Sequence, residues 1–184
     1  MPFHTGLVHG ASLVLVIVDV QERLAAAMTP RDDVLSAIIR LVRVAALIGA
    51  PIVVTRQYPE GLGPTEPSVA ELISGDPITK LSFSCCGEPK FMDALNRIGR
   101  KQVVLAGIET HVCVYQTAAN LIAGGFEVQV VADAVGSRTS MNRETGLNRM
   151  AGAGASITSI ETVLFELLGV AKGEKFKEIL KIVK

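Results

Sequence analysis

A cysteine where a strand gives way to a helix is the residue of this sequence best placed to do chemistry. It is Cys113, in Gly107-Ile108-Glu109-Thr110-His111-Val112-Cys113-Val114-Tyr115-Gln116-Thr117-Ala118. The run before it, Gln102-Val103-Val104-Leu105-Ala106, is apolar and rich in β-branched residues, the pattern of a buried parallel strand. The run after it, Ala119-Asn120-Leu121-Ile122-Ala123, continues a helix that stops at Gly124-Gly125. A thiol there meets free backbone N–H groups and the positive end of the helix dipole. It is expected to ionise more easily than a thiol in a core. The same N–H groups suit a developing oxyanion. Packing as a small core hydrophobe stays open as the alternative, because most free cysteines do only that.

Two further groups fall at strand ends. Ser12-Leu13-Val14-Leu15-Val16-Ile17-Val18 is a continuous apolar run that ends in Asp19, and Ile78-Thr79-Lys80 is a short strand that ends in a lysine. Parallel strands bring Asp19, Lys80 and Cys113 to the edge of the sheet where active sites of open α/β folds lie. An ammonium near the thiol favours the thiolate, and a carboxylate takes the proton. An ordinary Asp–Lys pair on solvated strand ends gives the same spacing.

Competing chemistries find less support. A dinucleotide site needs G-x-G-x-x-G after the first strand, where this chain reads Asp19-Val20-Gln21-Glu22, and no phosphate-binding G-x-x-x-x-G-K-[ST] loop occurs. His111 with Cys113, Cys85 and Cys86 matches no common zinc spacing, and adjacent cysteines seldom share one tetrahedral ion. His111 therefore reads as a helix-start or pocket-wall residue. The vicinal pair Cys85-Cys86 reads as packing or pocket residues, with peroxide sensing as its alternative. Asp133, at the end of another apolar run, reads as capping a turn rather than doing chemistry.

The bulk properties set the limits. The chain has 184 residues, 49% of them hydrophobic, and 18 basic residues balance 18 acidic ones. Mean hydropathy is +0.41. One domain spanning 1–184 with a sizeable core fits this length. A net charge of zero argues against a nucleic-acid surface, and together with the apolar content it points to surface hidden in a homo-oligomer. No apolar run reaches membrane-spanning length. The first residues lack the cationic region of a secretory signal, and 3 cysteines form no disulfide framework, so a reducing, cytoplasmic compartment is expected.

Strands and helices alternate along the chain. Strands are expected at 12–18, 51–56, 78–80, 102–106, 126–132 and 155–159, and helices at about 34–48, 89–98, from the 113 region to 123, 142–151, 161–168 and 174–184. This is a three-layer α/β/α fold around about six mostly parallel strands. Residues 57–67, rich in Gly and Pro, form a loop long enough to line or cover a site.

Taken together, Val16-Ile17-Val18-Asp19-Val20-Gln21, Lys80 with Phe83-Ser84, Gly107 to Val114 with Thr117-Ala118, and Val130-Val131-Ala132-Asp133-Ala134 resemble one family. It is the isochorismatase-like cysteine hydrolases, and the likeness runs over nearly the whole chain. Arg56-Gln57-Tyr58-Pro59 and Phe83-Ser84-Cys85-Cys86 look most like its YcaC-like group. The resemblance implies a catalytic triad of Asp19, Lys80 and Cys113. It also implies a non-proline cis peptide at Ile108-Glu109, with oxyanion donors from Cys113 and from a residue near Glu109 or Val112. Gln21, Tyr58, Phe83, Glu109 and Thr110 are the expected pocket residues, and 57–67 the lid. Nicotinamidase-type members carry Asp-x-His after the second strand. This chain has Arg56-Gln57-Tyr58-Pro59 there, so no catalytic metal and no other cofactor is expected. True isochorismatases cleave a vinyl ether without a nucleophilic cysteine, so Cys113 argues against that reaction. The expected activity is hydrolysis of a small amide or carbamoyl C–N bond. A thiol redox protein and a non-catalytic binding protein on the same fold are the two other classes.

Overall fold

The structure is a computed structural model that describes residues 6–183; His4 and Lys184 lie outside the described residues. The first strand, β1 (Leu13–Val18), is buried along its whole length. That is why it reads as an unbroken apolar run rather than an alternating one. It leads through one helical turn, Glu22–Ala25, into α1 (Arg31–Ile48), which Gly49 ends in a left-handed conformation. Then follow β2 (Ile52–Gln57), β3 (Ile78–Lys80), α2 (Pro89–Ile98) and β4 (Gln102–Ile108). After a π-type turn at Thr110–Val114 come α3 (Tyr115–Ala123), β5 (Glu127–Gly136), α4 (Ser140–Gly152), β6 (Ser156–Thr158), α5 (Ile160–Leu168) and α6 (Glu174–Val183).

The six strands form one sheet in the order β3-β2-β1-β4-β5-β6, and every pairing is parallel. Both faces are covered. Leu13, Leu15 and Ile17 of β1 point into a core with Ile38 and Leu41 of α1, Leu164 of α5 and Ile179 of α6. Val14, Val16 and Val18 point the other way, to Phe91 and Leu95 of α2, Leu121 of α3 and Met150 of α4. The period of two along β1 thus feeds two hydrophobic cores. The amphipathic tail packs on its own subunit through the buried Ile179.

Two segments differ from the sequence expectation. Strand β5 continues past Ala132 to Gly136, because its pairing with β4 shifts between Leu105 and Gly107, where Val135 rather than Ala132 faces Gly107. The irregularity absorbs extra residues and keeps the strand running. Asp133 therefore lies within the strand, and its Oδ1 accepts the N–H of Ile160 at 2.9 Å, capping α5. The segment 57–67 is also more ordered than a bare loop, since it contains the helical turn Pro59–Leu62 and runs into a second at Pro67–Ala70.

Gly107 is where backbone geometry admits no side chain. It sits at φ +126, and a Cβ there would overlap the backbone of Val18, its partner in β1. Both the conformation and the close approach require glycine. Gly107→Ala combines strain with overpacking and is expected to destabilise the fold by about 2–5 kcal/mol. Urea unfolding followed by circular dichroism reads this directly; a midpoint unchanged from wild type contradicts it.

Candidate active site

The parallel arrangement carries the ends of β1, β3 and β4 to one edge. Asp19 follows β1 directly and has φ 52, a left-handed conformation that a short polar residue tolerates better than most. Lys80 is the last residue of β3, and Cys113 lies in the turn after β4. Asp19 is fully buried, and Lys80 and Cys113 are 1% and 5% exposed.

Asp19 is the hub of this cluster. Its Oδ2 accepts the Lys80 ammonium at 2.6 Å, with both side chains fully enclosed. Its Oδ1 accepts the Thr55 hydroxyl at 2.7 Å. The Cys113 thiol lies near enough to the same carboxylate for its charge to act on the sulfur. The Lys80 ammonium also reaches Gln57 Oε1 at 2.7 Å and the carbonyls of Ser82 and Phe83, each at 3.1 Å. A buried ammonium without such acceptors would be strongly disfavoured. Here three N–H groups face four oxygens.

The cysteines overturn one sequence expectation. Burial, the largest effect, and then the Asp19 charge push the Cys113 thiol up, well above the ordinary range of a cysteine, against the pull of Lys80. A helix N-terminus does not offset this. Two N–H groups of the turn, those of Val112 and Val114, donate to the Glu109 carbonyl at 3.1 and 3.2 Å. Cys113 therefore rests as a protonated thiol near a carboxylate, not as a free thiolate. Cys85 is buried beside it, 3.6 Å from Thr55 Oγ1, and burial pushes its thiol from 9.0 to about 11. All three cysteines are free.

The other expected site residues divide. The Ile108–Glu109 peptide is cis. The Glu109 side chain turns away from the thiol, its Oε2 accepting the backbone N–H and Nε–H of Arg138 at 3.2 and 3.1 Å. Val112 has its N–H engaged by Glu109, so it does not serve as an oxyanion donor in this conformation. Thr110 is fully buried, and its hydroxyl has no hydrogen-bond partner among the described residues. Gln21 is fully buried too and acts as a fastener. Its amide donates to the carbonyls of Gln57 and Gly63 at 3.0 and 2.7 Å and accepts the Gln57 N–H at 2.8 Å. Those bonds leave it little capacity to meet a ligand. Tyr58 and Phe83 do face outward, 51% and 56% exposed, with Leu81 at 74%.

Sequence reasoning passed over Thr55 and Gln57. Both lie on β2 at the spacing of one face, in the polar second half of a strand that begins Ile52-Val53-Val54. Polar residues two apart at the carboxyl end of an apolar strand were the available signal. Helix α4 closes the site from the opposite side. A Cβ on Gly146 would lie 2.7 Å from the Thr110 carbonyl oxygen, so α4 abuts the turn that carries Cys113. His111 Nδ1 lies 3.1 Å from Ser137 Oγ. Among the described residues no group of three His, Cys, Asp or Glu side chains is placed to hold a metal ion. A groove of about 480 Å³ lies at the other end of the strands, between Ile52, Pro77 and Arg97, away from this cluster.

Residues 13–162 match the isochorismatase domain model. The zebrafish (Danio rerio) isochorismatase domain-containing protein 1 is 43% identical over 95% of this chain and 62% of its own length. The chain thus spans less than two thirds of that relative. A Phytophthora sojae relative, named a secreted isochorismatase effector, is 39% identical over 94% of this chain and 85% of its own. Among solved structures, the MAR1 ribonuclease of Caenorhabditis elegans superposes with TM-score 0.90 at 36% identity, covering 96% of this chain and 92% of that one. YcaC of Pseudomonas aeruginosa, solved with hexane-2,5-diol and covalent acrylamide, gives 0.90 at 26%, covering 98% and 93%. The YcaC gene product of Escherichia coli, described as an octameric hydrolase of unknown specificity, gives 0.90 at 25%, covering 99% and 92%.

The buried thiols make stability depend on pH. Cys85 and Cys113 hold their protons more tightly in the folded than in the unfolded chain. Their contribution is complete below the unfolded value of 9.0 and declines as pH rises through the folded ones. Cys85 alone accounts for about 2 kcal/mol lost near its folded value. Urea denaturation between about pH 8 and about pH 11 is expected to show wild type losing more stability than Cys85→Ala. Parallel curves for the two proteins contradict it.

Proposed function

The chain belongs to the isochorismatase domain family, and from that premise we propose that it is a metal-independent cysteine hydrolase that cleaves a small amide or carbamoyl C–N bond. The observation that carries this reading is the buried carboxylate of Asp19, whose two oxygens are held by Lys80 and Thr55 and whose charge acts on the Cys113 thiol. A thiol with a carboxylate base beside it does not need to be a thiolate beforehand. It loses the proton as it attacks.

In this mechanism Asp19 takes the thiol proton as Cys113 Sγ bonds to the substrate carbonyl carbon. The Cys113 N–H and a neighbouring backbone N–H hold the oxyanion. Collapse breaks the C–N bond, and protonated Asp19 passes its proton to the leaving amine. A thioester remains on Cys113. Asp19 then takes a proton from water, which attacks the thioester and releases the acid and the thiol. Lys80 keeps its positive charge throughout and compensates the negative charge that accumulates on the thiol sulfur and the oxyanion.

Covalent acrylamide in the Pseudomonas aeruginosa structure supports a site on this fold that admits a small primary amide. The E. coli octamer supports association of subunits, for which the exposed Tyr58, Leu81 and Phe83 beside the site are the apolar surface offered here. The three free cysteines support a reducing, cytoplasmic setting. A nucleophile only 5% exposed favours a small substrate over a polymer, although the nematode relative is called a ribonuclease. A thiol pushed upward by burial also disfavours the redox reading, because it is the thiolate that attacks peroxide.

Incubation with a panel of small amides and carbamoyl compounds, followed by mass spectrometry, is expected to trap an acyl group on Cys113. Asp19→Asn is expected to lower turnover by about 10²–10⁴-fold with the fold intact. Peroxide-dependent oxidation of Cys113 without turnover of any amide overturns the hydrolase.

A further inference from the structure

The Lys80 ammonium is held in place by a group outside the triad. Four oxygens surround it: Asp19 Oδ2, Gln57 Oε1 and the carbonyls of Ser82 and Phe83. The two carbonyls lie within three residues of Lys80 on its own strand and loop, and Asp19 is the group the lysine must serve. Gln57 is the one remaining side chain, and it comes from a different strand. Its orientation is unambiguous. Its Nε2 donates to the Leu81 carbonyl at 2.8 Å, which needs a donor, and its Oε1 faces an ammonium, which needs an acceptor.

Gln57 is itself anchored twice. In the sheet it is the register partner of Lys80. Outside the sheet its N–H and carbonyl both bond the Gln21 side chain, whose amide also grips Gly63. The Tyr58 N–H then donates to the Lys80 carbonyl at 3.1 Å. The segment that follows β2 is therefore connected to the ammonium through one amide side chain. Placed on neutral Gln57, the bond steadies Lys80 without adding a second anion beside Asp19.

We propose that Gln57 is a positioning residue of the active site, which fixes the Lys80 ammonium against Asp19 and so sets how readily the Cys113 thiol gives up its proton. This rests on the triad reading above. The role is electrostatic and geometric together. A carboxylate at the position would compete with Asp19 for the lysine and weaken its pull on the sulfur. An apolar side chain of similar length would keep the charge balance and let the ammonium swing away.

Alkylation of Cys113 by acrylamide, followed by intact-mass spectrometry across pH, tests this in the whole protein without a known substrate. Gln57→Glu and Gln57→Met are compared with wild type and with Lys80→Met, each checked for folding by circular dichroism. Both Gln57 variants are expected to label about tenfold more slowly near neutral pH, with the rise in rate displaced to higher pH as in Lys80→Met. Wild-type profiles for both Gln57 variants, beside a displaced profile for Lys80→Met, overturn the role of Gln57 and leave the triad standing. A displaced profile for Gln57→Glu alone reduces the residue to background charge and overturns positioning. A wild-type profile for Lys80→Met removes the premise instead, because the lysine then has no hold on the thiol.

Discussion

The ion pair between Lys80 and Asp19, 2.6 Å long and closed off from solvent, is the constraint around which the carboxyl edge of the sheet is arranged. Two charges in such a place are costly to desolvate, and their mutual attraction offsets that only when every remaining donor and acceptor is met. The surroundings follow from this requirement. Thr55 supplies the second oxygen of Asp19, and Gln57 with two main-chain carbonyls supplies the ammonium. The bend after Lys80 turns the Ser82 and Phe83 carbonyls inward, and Phe83 itself is left facing outward. Removing either charged partner would strand the other, at a cost of about 3–5 kcal/mol. The pair is thus a structural commitment as much as a chemical one.

The same pair explains why the thiol need not be acidic. Lys80 lowers the thiol's hold on its proton, but Asp19 and burial raise it further. A free thiolate next to Asp19 would place two anions in a site with one cation. Retaining the proton until bond formation avoids that state. In the proposed mechanism the negative charge moves out to the carbonyl oxygen and the proton moves to the carboxylate as sulfur attacks, so the count of buried charges hardly changes. Such an arrangement discriminates against reactions that need a standing thiolate, and it favours an electrophile that accepts the electrons and later returns a leaving group to be protonated.

Much of the scaffold was legible in the sequence, because parallel strands covered on both faces leave an unmistakable trace. Leu13–Val18 and Val103–Ala106 are apolar at every position, and Gly124 stands at the end of the helix it was expected to end. Where pairing is irregular the trace fails. Asp133 looked like the end of a strand because a polar residue interrupted the apolar run, yet the shift opposite Leu105–Gly107 carries β5 three residues further. In the site, a strand-end position was enough to pick out Asp19 and Lys80, since topology alone fixes which ends share an edge. It was not enough for Gln21. Its type suits a ligand, but whether an amide faces a pocket or a loop carbonyl depends on how residues 58–66 return over β1, and nothing local encodes that.

The failure over the thiol is the more instructive one. Local sequence placed Cys113 at a helix start, and a helix start ordinarily lowers a thiol's hold on its proton. That inference assumes N–H groups that point at the sulfur and a partly open surface. Here the turn winds one residue wider than an α-helix, the Glu109 carbonyl draws in two N–H groups, and Gly146 lets α4 press on Thr110 from above. Each of these comes from a different part of the chain, and together they seal the sulfur against a carboxylate. The proton affinity of the nucleophile is therefore a property of the tertiary assembly: α4 and β4 remove the water, Asp19 from β1 supplies the opposing charge, and Lys80 from β3, steadied through β2, limits how far that charge prevails.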